Sequence, residues 1–268
     1  MAEQQPAGRR GVALITGASG GIGEHLARRF AAGGFDLVLV ARREDRLKGL
    51  GDELARAHGV TARAVAADLA EPDAARGVFE RVEGMGLEVD VLVNNAGFAV
   101  SGPFAEAPER AELDLLRVNI LALVHLTKLV LPGMLARRRG RVLNVASIAA
   151  YMPGPLMAAY YASKAFVLSF SEALAVEVAG SGVTVTALCT GSTATGFADA
   201  AGVQGSALFR SGAMDAATVA QAGYDGAMAG RRVVIPGRMN RLRGLVARLA
   251  PRRVSTAIAL RLNRTLGG

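Results

Sequence analysis

Cysteine, lysine and histidine are all scarce in this chain. The lone cysteine, Cys189, excludes an intrachain disulfide and fits a reducing compartment. It reads as a buried strand residue, not a nucleophile. The three histidines, His25, His58 and His125, have no ligand spacing, so no metal site is expected. No stretch of about 18 uninterrupted apolar residues marks a spanning helix. The opening MAEQQPAGRR lacks the apolar core of a signal peptide and reads as a flexible arm over 1–10. No Pro/Ser-rich linker, low-complexity tract or repeat divides the chain, so one folded domain is expected over 11–236, in the cytoplasm. Lysine occurs only at positions 48, 128 and 164, against 28 arginines; together these make the 31 basic residues.

Acids are missing from one region. Residues 231–268 hold ten arginines and no Asp or Glu. Removing those ten from the 31 basic residues leaves 21 against 23 acids, a balance of −2 for 1–230. The net charge of +8 therefore belongs to the tail, and a nucleic-acid reading of the whole fold loses its support.

The body alternates short β-rich apolar runs with longer helical stretches. Strands are predicted over 12–16, 36–41, 61–66, 89–94, 140–147, 183–188 and 232–235. Helices are predicted over 22–32, 44–58, from 72, and over 113–136, 157–179 and 218–229. DLVLV and VDVLV are apolar throughout and do not alternate, as parallel strands covered on both faces require. The order implies an α/β fold: a Rossmann-type doubly wound parallel sheet of about seven strands, with ligands at the carboxyl ends near the switch point.

The first strand runs into Thr16-Gly17-Ala18-Ser19-Gly20-Gly21-Ile22-Gly23. Glycines here allow a tight turn and close approach of backbone N–H groups to a phosphate, with a helix N-terminus aimed at the same anion. The spacing resembles the TGxxxGIG signature of the short-chain dehydrogenases/reductases. Asn94-Asn95-Ala96-Gly97 is similar to that family's NNAG, and Asn119 to its helix asparagine. Ser147, Tyr160 and Lys164 reproduce its Ser…Tyr-x-x-x-Lys arrangement, and Thr190-Gly191 through Thr195 its PGxxxT segment, with Thr190 in place of proline. The resemblance covers about 11–236.

It implies a nicotinamide dinucleotide held by Gly17, Ser19, Gly21, Ile22 and Gly23, with Asp68 and Leu69 flanking the adenine. Asn94, Ala96 and Gly97 would line the adenosine side, and Tyr160, Lys164, Gly191, Thr193 and Thr195 the nicotinamide side. An acid ending the second strand would hold an adenosine 2′-hydroxyl, whereas a 2′-phosphate needs a cation. Here Ala41 stands where the acid would be, followed by Arg42 and Arg43, so NADP(H) is expected, with NAD(H) as the alternative.

Carbonyl reduction needs hydride, a proton donor and polarisation of the carbonyl oxygen. A cation beside a phenol stabilises phenolate, and residues three or four apart share a helix face. Both Tyr160 and Tyr161 therefore reach Lys164, and periodicity leaves the choice open. The resemblance favours Tyr160 as acid/base, with Ser147 on the substrate carbonyl and Asn119 holding a water that relays protons to Lys164. A compact ammonium suits ribose hydroxyls and a nearby phenol better than a guanidinium fork.

Phe98, Met152, Met157, Phe197, Ser147 and Tyr160 are candidate substrate contacts, implying a hydrophobic ketone, aldehyde or secondary alcohol. Residues 196–214 read as a lid. A 3-oxoacyl-thioester reductase is the nearest alternative, and a non-catalytic nucleotide-binding scaffold the more distant one. A homodimer or homotetramer is expected.

Over 237–268, Leu242, Leu245, Val246 and Leu249 recur at i, i+3, i+4 and i+7, with Arg241, Arg243 and Arg248 off that stripe. Two readings stand: a helix packing this stripe on the body or on another subunit, or a peripheral anchor for anionic lipid or an acidic acyl carrier.

Overall fold

Seven parallel strands form the sheet, in the order β3-β2-β1-β4-β5-β6-β9. They are β1 Val12–Thr16, β2 Asp36–Ala41, β3 Ala62–Ala66, β4 Val89–Asn94, β5 Gly140–Ser147, β6 Val183–Thr190 and β9 Val233–Val234. The computed structural model describes residues 10–197 and 212–264. A two-stranded ladder that the sequence pattern did not announce joins β7, Thr193–Ala194, to β8, Met214–Asp215.

The helices are α1 Gly21–Ala32, α2 Glu44–His58, α3 Ala74–Gly84, α4 Glu109–Leu116, α5 Leu123–Ala136, α6 Ala158–Glu177, α7 Ala216–Met228, α8 Arg238–Leu249 and α9 Arg252–Asn263. Strand alternation sorts the core onto two faces. Ala13, Ile15, Leu37 and Leu39 pack on Leu26 and Phe30 of α1, Leu47 and Leu54 of α2 and Val219 of α7. Val12, Leu14, Val38 and Leu92 pack on Val78 of α3, Leu126, Val130 and Met134 of α5 and Leu174 of α6. β1 lies between β2 and β4, so the chain reverses direction across the sheet at β1 and opens a crevice at its carboxyl edge. At the opposite edge, Asp90 accepts hydrogen bonds from the Val12 amide and the Arg139 guanidinium, both at 2.9 Å.

The predicted helix over 113–136 begins four residues earlier and runs from Glu109 to Ala136 through a π-helical turn, Arg117–Ala122. By length and composition alone this helix would suffice to cross a membrane, its most apolar window having a mean hydropathy of 1.7. Interrupted apolar runs therefore reached a span's average without meeting the uninterrupted criterion. In the fold one side of it packs on the sheet: Leu126, Val130 and Met134 are buried against β4 and β5.

Candidate active site

The glycine turn is shaped by what fits between β1 and β4. A Cβ at Gly17, whose φ is +66°, would stand 2.7 Å from Asn95 Nδ2, and one at Gly23 would collide with the Gly17 carbonyl. Asn95 donates through Nδ2 to the carbonyls of Thr16 (2.9 Å) and Gly17 (3.2 Å), tying the turn to the end of β4. The Thr16 hydroxyl accepts from the amides of Asn95 and Ala96, both at 3.0 Å. The N-cap of α1 is Gly20, which has no side chain to cap the helix. Its first N–H groups thus face the crevice, and the donor set fits a dinucleotide pyrophosphate. Across that crevice the Thr195 methyl lies 3.1 Å from where a Gly21 Cβ would be.

Of the two arginines after β2, Arg43 turns back to the glycine loop. Its Nη2 donates to the Ser19 carbonyl (3.2 Å) and hydroxyl (3.3 Å); both arginines are exposed. Asp68 folds its own loop, accepting from the Ala70 amide at 3.0 Å, and Leu69 beside it is buried.

Asn94, assigned to the adenosine side, points its side chain away from the crevice: Nδ2 donates to Thr127 Oγ1 (3.0 Å) and Asn144 Oδ1 (2.9 Å) in the core. The reason is strand parity. Val91 and Val93 face one layer, Leu92 and Asn94 the other. Asn95, which does hold the turn, was missed although it stands inside the quoted motif.

At the end of the crevice where the nicotinamide is expected, Asn119 sits within the π turn, 1% exposed. Its Oδ1 accepts from the Phe98 amide (3.1 Å); its Nδ2 donates to the Phe98 carbonyl (3.0 Å) and to Ser163 Oγ (3.0 Å). A π turn in an otherwise regular helix is a common mark of a functional position. Here it coincides with the asparagine that clamps the β4 loop to α6. Ser147 ends β5; its hydroxyl accepts from the Ala149 amide (3.1 Å) and donates to the Thr190 carbonyl over a long 3.3 Å. Thr193 Oγ1 donates to the Gly191 carbonyl at 3.1 Å.

Tyr160 and Lys164 lie one turn apart on α6. Burial raises the Tyr160 pKa above the ordinary phenol value, and the polar Ser147 hydroxyl opposes that rise. Lys164 is buried and donates from Nζ to the Val145 carbonyl at 2.9 Å; burial pushes its pKa down to about 8. Nζ stands 5.8 Å from the Tyr160 ring centroid. Tyr161 turns elsewhere. Its hydroxyl donates to Asn263 Oδ1 of α9 at 3.0 Å, and its ring occupies the space a Cβ at Gly154 would need. Cys189 is buried in β6, and burial pushes its thiol up to about 11.

Met152, Met157, Tyr160 and Phe197 meet in one apolar cluster with Tyr161 and Ala259 of α9. The Tyr160 and Phe197 rings are 5.5 Å apart. Phe98 is absent from that cluster and contributes its backbone to the Asn119 clamp. Most of the expected lid, 198–211, lies outside the described residues, as do 1–9 of the arm.

A sequence model described as short chain dehydrogenase matches residues 11–204. The chain belongs to the short-chain dehydrogenase family. A short chain dehydrogenase of Pseudocercospora fijiensis is 42% identical over 182 residues, covering 67% of this chain and 59% of its own. A very-long-chain 3-oxoacyl-CoA reductase of Aspergillus clavatus is 39% identical over 177 residues, covering 65% and 51%. This short-chain dehydrogenase thus spans between half and three-fifths of those relatives' length. Among solved structures, a short-chain dehydrogenase of Sphingobium yanoikuyae in complex with NADPH superposes with a TM-score of 0.79 at 35% identity, covering 88% of this chain and 92% of the other.

Proposed function

We propose that this short-chain dehydrogenase is an NADP(H)-dependent oxidoreductase interconverting a hydrophobic ketone or aldehyde and its alcohol. One observation carries the reading: the buried Lys164 ammonium lies one turn from Tyr160, its Nζ 5.8 Å from that ring, with Asn119 locking the loop beside them and Ser147 ending the adjoining strand β5. A nicotinamide cofactor along the glycine turn would supply the hydride. Ser147 exchanges its long bond to Thr190 for one to the carbonyl oxygen, and Tyr160 gives that oxygen its proton. A raised phenol pKa keeps Tyr160 protonated at neutral pH, which suits reduction. For the reverse direction, Lys164 carries a positive charge below about pH 8 that favours phenolate.

NADP(H) is supported by Ala41 in the place of an acid and by Arg43 over Ser19, where a guanidinium meets a 2′-phosphate. The test is NADPH and NADH oxidation over ketones, aldehydes and 3-oxoacyl thioesters. NADPH is expected to be used at lower KM, and Arg43→Gln to raise that KM by roughly tenfold while leaving NADH unaffected. A preference for NADH contradicts the reading. A 3-oxoacyl-thioester reductase is the second reading, favoured by several relatives that are very-long-chain 3-oxoacyl-CoA reductases, and the same screen distinguishes it by activity confined to thioesters.

We also propose a homodimer. Ala162, Phe166, Ser169, Ala173 and Val176 form a continuous exposed stripe on α6, with Phe166 40% and Val176 59% exposed. Such a face on a central helix fits a self-complementary interface.

A further inference from the structure

The tail does not pack as its pattern suggests. The stripe Leu242, Leu245, Val246 and Leu249 faces outward, each residue 51–73% exposed, and Met239 joins it at 59%. The face of α8 turned inward is the opposite one, made of Asn240, Gly244 and Ala247. Asn240 sits where a Cβ on Gly191 would be, and Gly244 lies on the Tyr151 ring. In α9 the buried side is Ser255, Ala259 and Asn263, and Val254 and Ile258 point out at 49% and 45%. Asn263 also donates to the Pro155 carbonyl at 2.9 Å. Both helices are therefore fixed by small and polar residues to the substrate end of the crevice. They hold their large apolar side chains away from the protein.

Charge completes the pattern. Residues 238–264 contain eight arginines and no acid. On the wheel of α8, Arg241 and Arg248 flank the apolar stripe on one side and Arg243 on the other, between it and the buried face. Along α8 beyond its first residue, Arg238, the outermost groups are thus apolar, and Arg241, Arg243 and Arg248 stand behind them; on α9 Arg261 shares the outward side with Val254. That order matches a surface that is anionic outside and hydrocarbon within: leucines enter the acyl boundary while guanidiniums remain level with phosphates. A second copy of the chain is a poor occupant, because pairing two such faces sets arginine against arginine with no acid between. An acidic carrier protein would engage the arginines and leave the foremost leucines unburied.

We propose that α8 and α9 form an in-plane docking surface for an anionic phospholipid bilayer, one helix thickness from the substrate site. Docking needs no turnover, so it is read with the protein alone and separately from the proposed reaction. The full chain is sedimented with vesicles of phosphatidylcholine, with and without phosphatidylglycerol, at low and high salt. The protein is expected to pellet with the anionic vesicles at low salt and to stay soluble with the neutral ones. Leu245→Asp/Leu249→Asp should abolish binding; both positions are exposed, and an unchanged thermal melt confirms an intact fold. Arg243→Gln/Arg248→Gln should weaken partitioning by roughly 25-fold, each basic residue near an anionic surface contributing about fivefold. Equal solubility with both vesicle types overturns the proposal, as does wild-type binding by the leucine pair. A leucine pair that changes only the sedimentation coefficient of the free protein assigns the stripe to a second copy. Retention on immobilised acyl carrier protein with no vesicle binding assigns it to a protein partner. Either of these also overturns the proposal.

Discussion

Lys164 carries a positive charge into a buried place and has a measurable cost. Its pKa falls from 10.5 to about 8 on folding, so between those values the unfolded chain holds a proton that the native one has released. Stability gained from this group therefore rises with pH across that window and is lost as pH falls through about 8. The full effect is about 3 kcal/mol of folding free energy. Denaturant unfolding of the wild type and of Lys164→Met at about pH 7 and about pH 9.5 checks the sign. Wild-type stability should rise relative to the variant at the higher pH; an unchanged difference contradicts the buried ammonium. The neighbouring tyrosines show what the sequence left open. Three- and four-residue spacings both reach Lys164 on a helix, so periodicity could not choose between Tyr160 and Tyr161. The choice is visible only because the Tyr161 hydroxyl is taken by Asn263, a residue 102 positions away that no local pattern connects to it.

The glycine turn was legible because each of its glycines answers a local requirement of strand, turn and helix. The residue that holds the turn was not, because Asn94 and Asn95 are the same amino acid side by side. Parity along β4 separates them: Asn94 shares the face of Leu92, so its amide enters the core with Thr127 and Asn144, and Asn95 is left for the turn. Asn95→Ala should weaken NADPH binding by roughly tenfold, since it removes two hydrogen bonds that fix the loop without touching Tyr160. Titration of cofactor fluorescence measures this, and unchanged affinity would remove Asn95 from the account. Gly23→Ala should be more severe, costing about 1–3 kcal/mol because its Cβ meets the Gly17 carbonyl, a backbone atom with nowhere to go. A lowered denaturation midpoint together with lost cofactor binding is expected. The π turn at Asn119 was invisible to hydrophobic periodicity, because inserting one residue per turn leaves the apolar spacing on either side intact.

Across the whole molecule, the strand order and the charge asymmetry between body and tail were readable, and the direction in which the tail faces was not. An amphipathic pattern says which residues share a face, not whether that face is turned in or out; small residues such as Gly244, Ala247 and Ala259 won the inward position. The consequence is a tail tied to the substrate end by Tyr161 and Asn263. Asn263→Ala should cost about 1–3 kcal/mol by leaving that buried phenol unpaired. For a domain of this size that is roughly 2–4 °C in Tm per kcal/mol, read by calorimetry. The doubled tyrosine thus divides chemistry from architecture, and that division is the central claim. NADPH oxidation by Tyr160→Phe and by Tyr161→Phe, measured on the best substrate of the carbonyl screen, tests it most directly. Tyr160→Phe is predicted to lower kcat by roughly 10²–10⁴-fold with its melting temperature kept. Tyr161→Phe should retain most of kcat and melt earlier. Full turnover in Tyr160→Phe, or its loss in Tyr161→Phe alone, would contradict the account.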